Sequence, residues 1–209
     1  MIVETKVGII TAGDGTVSIQ RASRDGSTIV GDGMGRYQEM AQRGLMFTGG
    51  NQGPGGTTTT VGLATTYTGL CLSNPAGNTK NFALLQASLG IVGAPAALST
   101  FGLLAGYAAG GVTAHTTPLV PQCTLLSASA VGTAKIDSAA TLVGSPFLYM
   151  AFGVTPITGA TAQVVNPPVI GNLYDIGGSL IIPPGGYVGI YTSTVVTVIA
   201  SFVWTEVAV

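Results

Sequence analysis

Beyond residue 43, six side chains could titrate usefully or take part in acid–base chemistry: Lys80, His115, Lys135, Asp137, Asp175 and Glu206. Two cysteines, Cys71 and Cys123, could add a nucleophile. General acid–base and covalent catalysis need several such groups brought to one place, and their spacing here gives little reason to expect it. His115 sits in Thr113-Ala-His-Thr-Thr, beside Gly110-Gly111, and reads as a solvated turn residue. Lys135 and Asp137 are two apart, so on a strand they share a face and read as a surface ion pair of small value. The cysteines are 52 positions apart with no metal-ligand spacing and read as free and buried, although pairing stays open.

Metal and nucleotide chemistry fare no better. Zinc would need clustered Cys and His, which are absent. Asp14, Asp25 and Asp32 lack calcium-loop spacing, and each is followed by glycine in a tight-turn dipeptide. The run Gly49-Gly-Asn-Gln-Gly-Pro-Gly-Gly56 lacks the Gly-Lys-Ser/Thr ending of a phosphate loop. The expectation is a protein that is not an enzyme, with no catalytic, cofactor-binding or metal-binding residues and no cofactor.

The distribution of charge is more informative. Ten of the fifteen Lys, Arg, Asp and Glu residues fall in the first 43 positions, and the rest of the chain is roughly 3 % charged, against about 25 % for an ordinary soluble domain. A free monomer normally stays dispersed through a charged surface and a net charge away from zero, whereas the formal charge here is −1. Either neighbours cover most of the surface, or hydroxyls and amides must do the work of charge. The N-terminal charges balance: Arg21, Arg24, Arg36 and Arg43 stand among Asp14, Asp25, Asp32 and Glu39. A segment built to neutralise nucleic acid would be strongly basic. The balance suits docking on a protein surface, with Arg21, Arg24, Arg36, Glu39 and Arg43 as candidate contact residues.

No membrane partner is expected. The uncharged stretch from Phe82 to Gly111 is interrupted by Pro95 and diluted by Gly, Ser and Thr, and Val188–Val209 is rich in Thr and β-branched residues, a strand composition. An outer-membrane barrel would want aromatic girdles that seven Tyr and one Trp hardly supply. Met1-Ile-Val-Glu-Thr-Lys also lacks the basic-then-apolar order of a secretory leader.

These residues must be held by strands. Asp14-Gly15, Asp25-Gly26 and Asp32-Gly33 flank alternating segments such as Thr16-Val-Ser-Ile-Gln, so residues 1–48 read as a hairpin-bearing arm, with a helical turn or irregular strand at 34–43. Residues 49–56 read as a linker, and 57–209 as the main domain. Within it, strands are expected near 57–67, 71–73, 81–91, 100–107, 124–130, 147–153, 180–182, 187–192 and 195–206. Gly/Pro turns lie between them, and an excursion loop is expected at 154–172. Short strands at such intervals indicate an antiparallel sandwich or barrel.

The segment Ser179-Leu-Ile-Ile-Pro-Pro-Gly-Gly-Tyr-Val-Gly-Ile-Tyr-Thr-Ser, followed by Ser201-Phe-Val-Trp-Thr-Glu-Val, resembles the closing strands of a jelly-roll domain. Small structural proteins of tailed bacteriophages often end this way, trimeric cement (decoration) proteins of the capsid among them. Tyr67-Thr-Gly-Leu-Cys-Leu-Ser-Asn-Pro-Ala-Gly-Asn-Thr-Lys-Asn-Phe is similar to stretches of phage virion proteins. The resemblance covers residues 60–209 and carries fold information rather than catalytic residues.

It implies an all-β, antiparallel, jelly-roll-like β-sandwich of about eight strands behind the N-terminal arm. It further implies a homotrimer on the virion's capsid surface, made in the host cytoplasm, with the major capsid protein or another virion protein as partner. The alternatives are another virion component (tail, baseplate, fibre or shell-forming protein) and a carbohydrate-binding adhesin. For the adhesin, Tyr174-Asp175 beside Asn172 is the one cluster with the right residue types.

Overall fold

The structure is a computed structural model describing residues 36–51, 57–58, 63–92, 97–126, 131–154 and 172–208. The chain divides into two compact units, Met1–Glu39 and Met40–Val209. Of the first, only residues 36–39 are described, so the Asp-Gly hairpins expected there lie outside the described residues. A short helix, α1 (Gln38–Gln42), buries none of its residues.

Thirteen strands follow among the described residues: β1 (Met46–Gly50), β2 (Thr57–Thr58), β3 (Thr66–Ser73), β4 (Lys80–Ile91), β5 (Thr100–Tyr107), β6 (Ala114–His115), β7 (Pro118–Leu119), β8 (Gln122–Cys123), β9 (Lys135–Thr141), β10 (Phe147–Val154), β11 (Asn172–Ile182), β12 (Gly186–Thr192) and β13 (Thr197–Ala208). They form two sheets. One has the order β11-β4-β13-β1-β8, with β2 also on β13; the other has β10-β5-β12-β3-β9-β6, with β7 also on β9. The pairings are antiparallel.

Set aside β9 and the two-residue strands, and eight strands remain. Taken in chain order, the first, eighth, third and sixth make one sheet, and the second, seventh, fourth and fifth make the other. This is jelly-roll winding, two Greek keys closed face to face. The expected all-β jelly-roll-like sandwich is the fold.

Alternation explains why the sheets close. On β13, Val198, Ala200, Phe202 and Trp204 point inward, and on β4, Phe82, Leu84, Ala87 and Leu89 do. They meet Leu70 and Leu72 of β3, Leu103 of β5, Ile136 of β9 and Val188 and Ile190 of β12 in one core. Each large side chain fully buried here contributes about 1.5–3 kcal/mol. The opposite face of the second sheet carries a smaller apolar cluster: Tyr67, Cys71, Leu104, Ala140, Leu142 and Tyr187, with Val112 packed on it.

Several strands differ from expectation, each for a local reason. The expected strand at 124–130 is not formed over its described part, since Thr124–Leu126 make a bend and turn, and residues 127–130 lie outside the described residues. The strand forms instead at β9, whose Lys-Ile-Asp-Ser-Ala-Ala-Thr offers a single large apolar residue to mark it. β1 takes Gly49 and Gly50 of the expected linker into the sheet, where Gly49 faces the Ile136 and Trp204 side chains. The linker's remainder, 52–56, lies outside the described residues. β11 begins at Asn172, and Gly177-Gly178, expected as a turn, make a bulge inside it. Register slips between Asp175 (opposite Gln86) and Leu180 (opposite Leu84), with φ of 64° and 82° at the two glycines. Of the expected excursion, 155–171 lies outside the described residues.

Candidate functional site

Of the candidate contact residues, Arg36, Glu39 and Arg43 are exposed around α1, and Arg21 and Arg24 lie outside the described residues. The Arg36 guanidinium stands 5.2 Å from the centre of the Tyr37 ring, an arrangement that keeps a cation near the surface at low desolvation cost. Among the described residues, no three His, Cys, Asp or Glu side chains gather as metal ligands.

The titratable groups of the sandwich are arranged otherwise than their spacing suggested. Asp137 is not half of a surface pair with Lys135. Its side chain is fully buried, its Oδ1 accepts from the backbone N–H of Ala139 (2.6 Å) and of Thr117 (3.0 Å), and its Oδ2 stands 3.5 Å from His115 Nδ1. Both residues do share a strand face, but the segment carrying His115 and Thr117 covers Asp137 while Lys135 stays exposed. His115 is therefore not a solvated turn residue. It belongs to β6, paired to β9, with Nδ1 buried against the carboxylate.

A second buried carboxylate lies near the end of β13. Glu206 accepts from Lys80 Nζ (3.0 Å), Thr133 Oγ1 (2.7 Å), Thr133 N (2.8 Å) and Ala134 N (3.1 Å). Four donors on one carboxylate satisfy a buried charge as such groups require. Spacing could not have found this site, because its members come from three separate stretches of chain. The only signal was the rarity of acidic residues here.

Cys71 lies opposite Asp137 across the β3–β9 ladder and is 1 % exposed. Burial, reinforced by the Asp137 carboxylate, pushes its thiol far above the ordinary range, so it is a packing residue and an inert thiol. Cys71 and Cys123 are both free. Tyr67 and Tyr187 are also raised, by burial first and by Cys71 second.

The aromatic–amide cluster fits a sugar poorly. Tyr174 is stacked on Phe152, ring centres 3.5 Å apart and planes at 7°, and its hydroxyl accepts from Asn172 Nδ2 (3.0 Å). One ring face is thus taken by the closure of β10 on β11, and Asn172 is spent on its neighbour. The hollow beside them, lined by Leu89, Ile91, Phe101 and Val154 among others, holds about 60 Å³, far below the several hundred of a ligand pocket.

No family model, curated protein or solved structure matches the chain.

Proposed function

We propose that this chain is a non-enzymatic structural protein of a virion, a homotrimeric cement protein that binds and reinforces a phage capsid shell. The observation that carries this reading is the surface of the sandwich. Of the five charged residues beyond Arg43, Asp137 and Glu206 are buried and Lys80 is tied to Glu206, which leaves Lys135 and Asp175 as the exposed ones. Large apolar side chains remain at the surface, among them Tyr107, Phe147, Leu173 and Ile181. Such a surface favours association, and closed cyclic symmetry is how a chain associates without forming open-ended aggregates. The jelly-roll winding agrees with the resemblance to phage structural proteins, and the exposed, mixed charges of Arg36, Glu39 and Arg43 suit docking on a protein shell.

The test has two arms. Native mass spectrometry should give a trimer at micromolar concentration, and a stable monomer would sink the reading. Shells lacking the protein should take it up at fixed stoichiometry, and a chain without residues 1–43, which leaves β1 whole, should keep its oligomeric state but lose uptake. Unchanged uptake would remove the arm from the proposal.

A further inference from the structure

Val112, packed on the second apolar cluster, leads into a segment that the fold holds only lightly. Residues 113–119 run along the free edge of β9. Thr113 N donates to Thr141 O (3.0 Å), Thr116 N to Ala139 O (2.9 Å) and Ser138 N to Thr117 O (3.1 Å). The strands they form, β6 and β7, are two residues each, and Pro118 supplies no N–H. Thr113, Ala114, Thr116, Thr117 and Pro118 are exposed. Val112 at one end packs on the Tyr67–Cys71–Tyr187 cluster, and Leu119 at the other packs on the main core. Few buried apolar contacts and a short hydrogen-bonded ladder mark the low-stability end of a fold.

One group compensates. Asp137, on β9, reaches out and accepts from Thr117 N at 3.0 Å, while its other oxygen faces His115 Nδ1 at 3.5 Å. Both of those facing atoms are buried and have no hydrogen-bond partner among the described residues. A carboxylate bonded to backbone N–H groups makes a stronger tie than a neutral ladder bond.

We infer that residues 112–119 form a strap that opens as a unit before the sandwich unfolds, with the Asp137 carboxylate as its clasp and Val112 as the residue that lies on the Cys71 cluster. Opening lifts Thr117 and His115 off Asp137 and Val112 off the cluster that holds Cys71, and frees the outer edge of β9. The strap thus guards a strand edge that would otherwise be open to pairing with another chain. Closed, the Cys71 thiol is buried and neutral, so its modification reads the opening directly.

The experiment measures modification of Cys71 by a maleimide in a Cys123→Ala background, in native buffer and in sub-denaturing urea. The expected result is a rate above that allowed by global unfolding and nearly flat in urea. Asp137→Asn should raise it about tenfold or more, the loss expected when a charged acceptor goes, and His115→Ala severalfold with an unchanged urea midpoint. A rate that follows the full urea dependence of global unfolding overturns the strap. So does a rise in Asp137→Asn no larger than its loss of global stability. Should Asp137→Asn fail to fold, His115→Ala decides alone, and an unchanged rate there overturns the clasp.

Discussion

Lys80 Nζ lies 3.0 Å from Glu206 Oε2, joining the first residue of β4 to the third-from-last residue of β13, 126 positions away. The two partners are unequal. The Lys80 side chain is 32 % exposed and Glu206 has no exposed side-chain surface. The lysine remains hydrated, whereas the carboxylate depends wholly on protein donors, and three of its four bonds come from Thr133 and Ala134.

Removing each partner should therefore cost differently. Glu206→Gln keeps the oxygen that Thr133 N and Ala134 N share but turns an amide toward Lys80 Nζ and Thr133 Oγ1, for a loss of about 2–4 kcal/mol. Lys80→Met leaves the carboxylate three of its donors and should cost about 1 kcal/mol, discounted for the solvent that reaches the lysine. Urea denaturation at pH 7 measures both. Equal losses would mean that the ion pair, rather than the grip on residues 133–134, carries the stability.

Asn74 joins two of the places where the chain crosses between sheets, the β3–β4 and β11–β12 connections. Its Nδ2 donates to Lys80 O (2.8 Å) and Ile182 O (2.9 Å), and its Oδ1 accepts from Asn78 Nδ2 (2.7 Å). Its backbone bonds Gly185 N and Gly186 O. The ends of β3, β4, β11 and β12 thus meet on one buried side chain. Asn74→Ala should cost about 2–4 kcal/mol, since it leaves two buried carbonyls without their donor. Asn74→Asp should be at least as harmful, because it replaces the donor with an acceptor. Thermal unfolding of both variants reads this, and a loss under 1 kcal/mol would show that water replaces the amide.

Strands were readable where β-branched and apolar residues alternate between Gly/Pro turns, as over Asn81–Ile91 and Tyr187–Thr192, and those segments are the heart of β4 and β12. Reading failed where tertiary contacts decide. β9 is strand because β3 and the strap bond it on both sides, and nothing in Lys-Ile-Asp-Ser-Ala-Ala-Thr says so. Gly49-Gly50 and Gly177-Gly178 look like linker and turn, yet both lie within strands, one against large core side chains and one as a bulge. The candidate contact residues stood out by charge alone. Asp137 and Glu206 were misjudged or passed over because burial of a carboxylate depends on donors brought from distant sequence.

Gly106 and Tyr187 face each other across the β5–β12 ladder, and a Cβ at position 106 would overlap the tyrosine hydroxyl. The ring lies flat over the glycine and its hydroxyl donates to Val143 O (2.9 Å). Gly106→Ala must push the ring off that bond and should cost about 2–4 kcal/mol, the range for overpacking plus a lost buried bond. In a Tyr187→Ala background the same change should cost under 1 kcal/mol. A double-mutant cycle in urea measures the difference, and additive losses would place the strain elsewhere.

Alkaline pH should loosen this same face. Tyr67, Cys71 and Tyr187 all hold their protons to higher pH in the folded chain than unfolded, mainly because burial disfavours their anions. Below the unfolded values, 9.0 for the thiol and 10.0 for the phenols, their contribution to stability is fully present. Above those values the unfolded chain sheds protons that the folded chain keeps, so stability falls by about 1.4 kcal/mol per pH unit for each group in its window. The thiol begins the decline near pH 9 and the two tyrosines add to it from pH 10, until each reaches its folded value. The urea midpoint should thus be steady from pH 7 to 8.5 and fall with increasing slope to pH 11. Cys71→Ala should remove the earliest part of that fall and leave the rest, and a midpoint independent of pH up to 11 would show that water reaches these groups in the folded state.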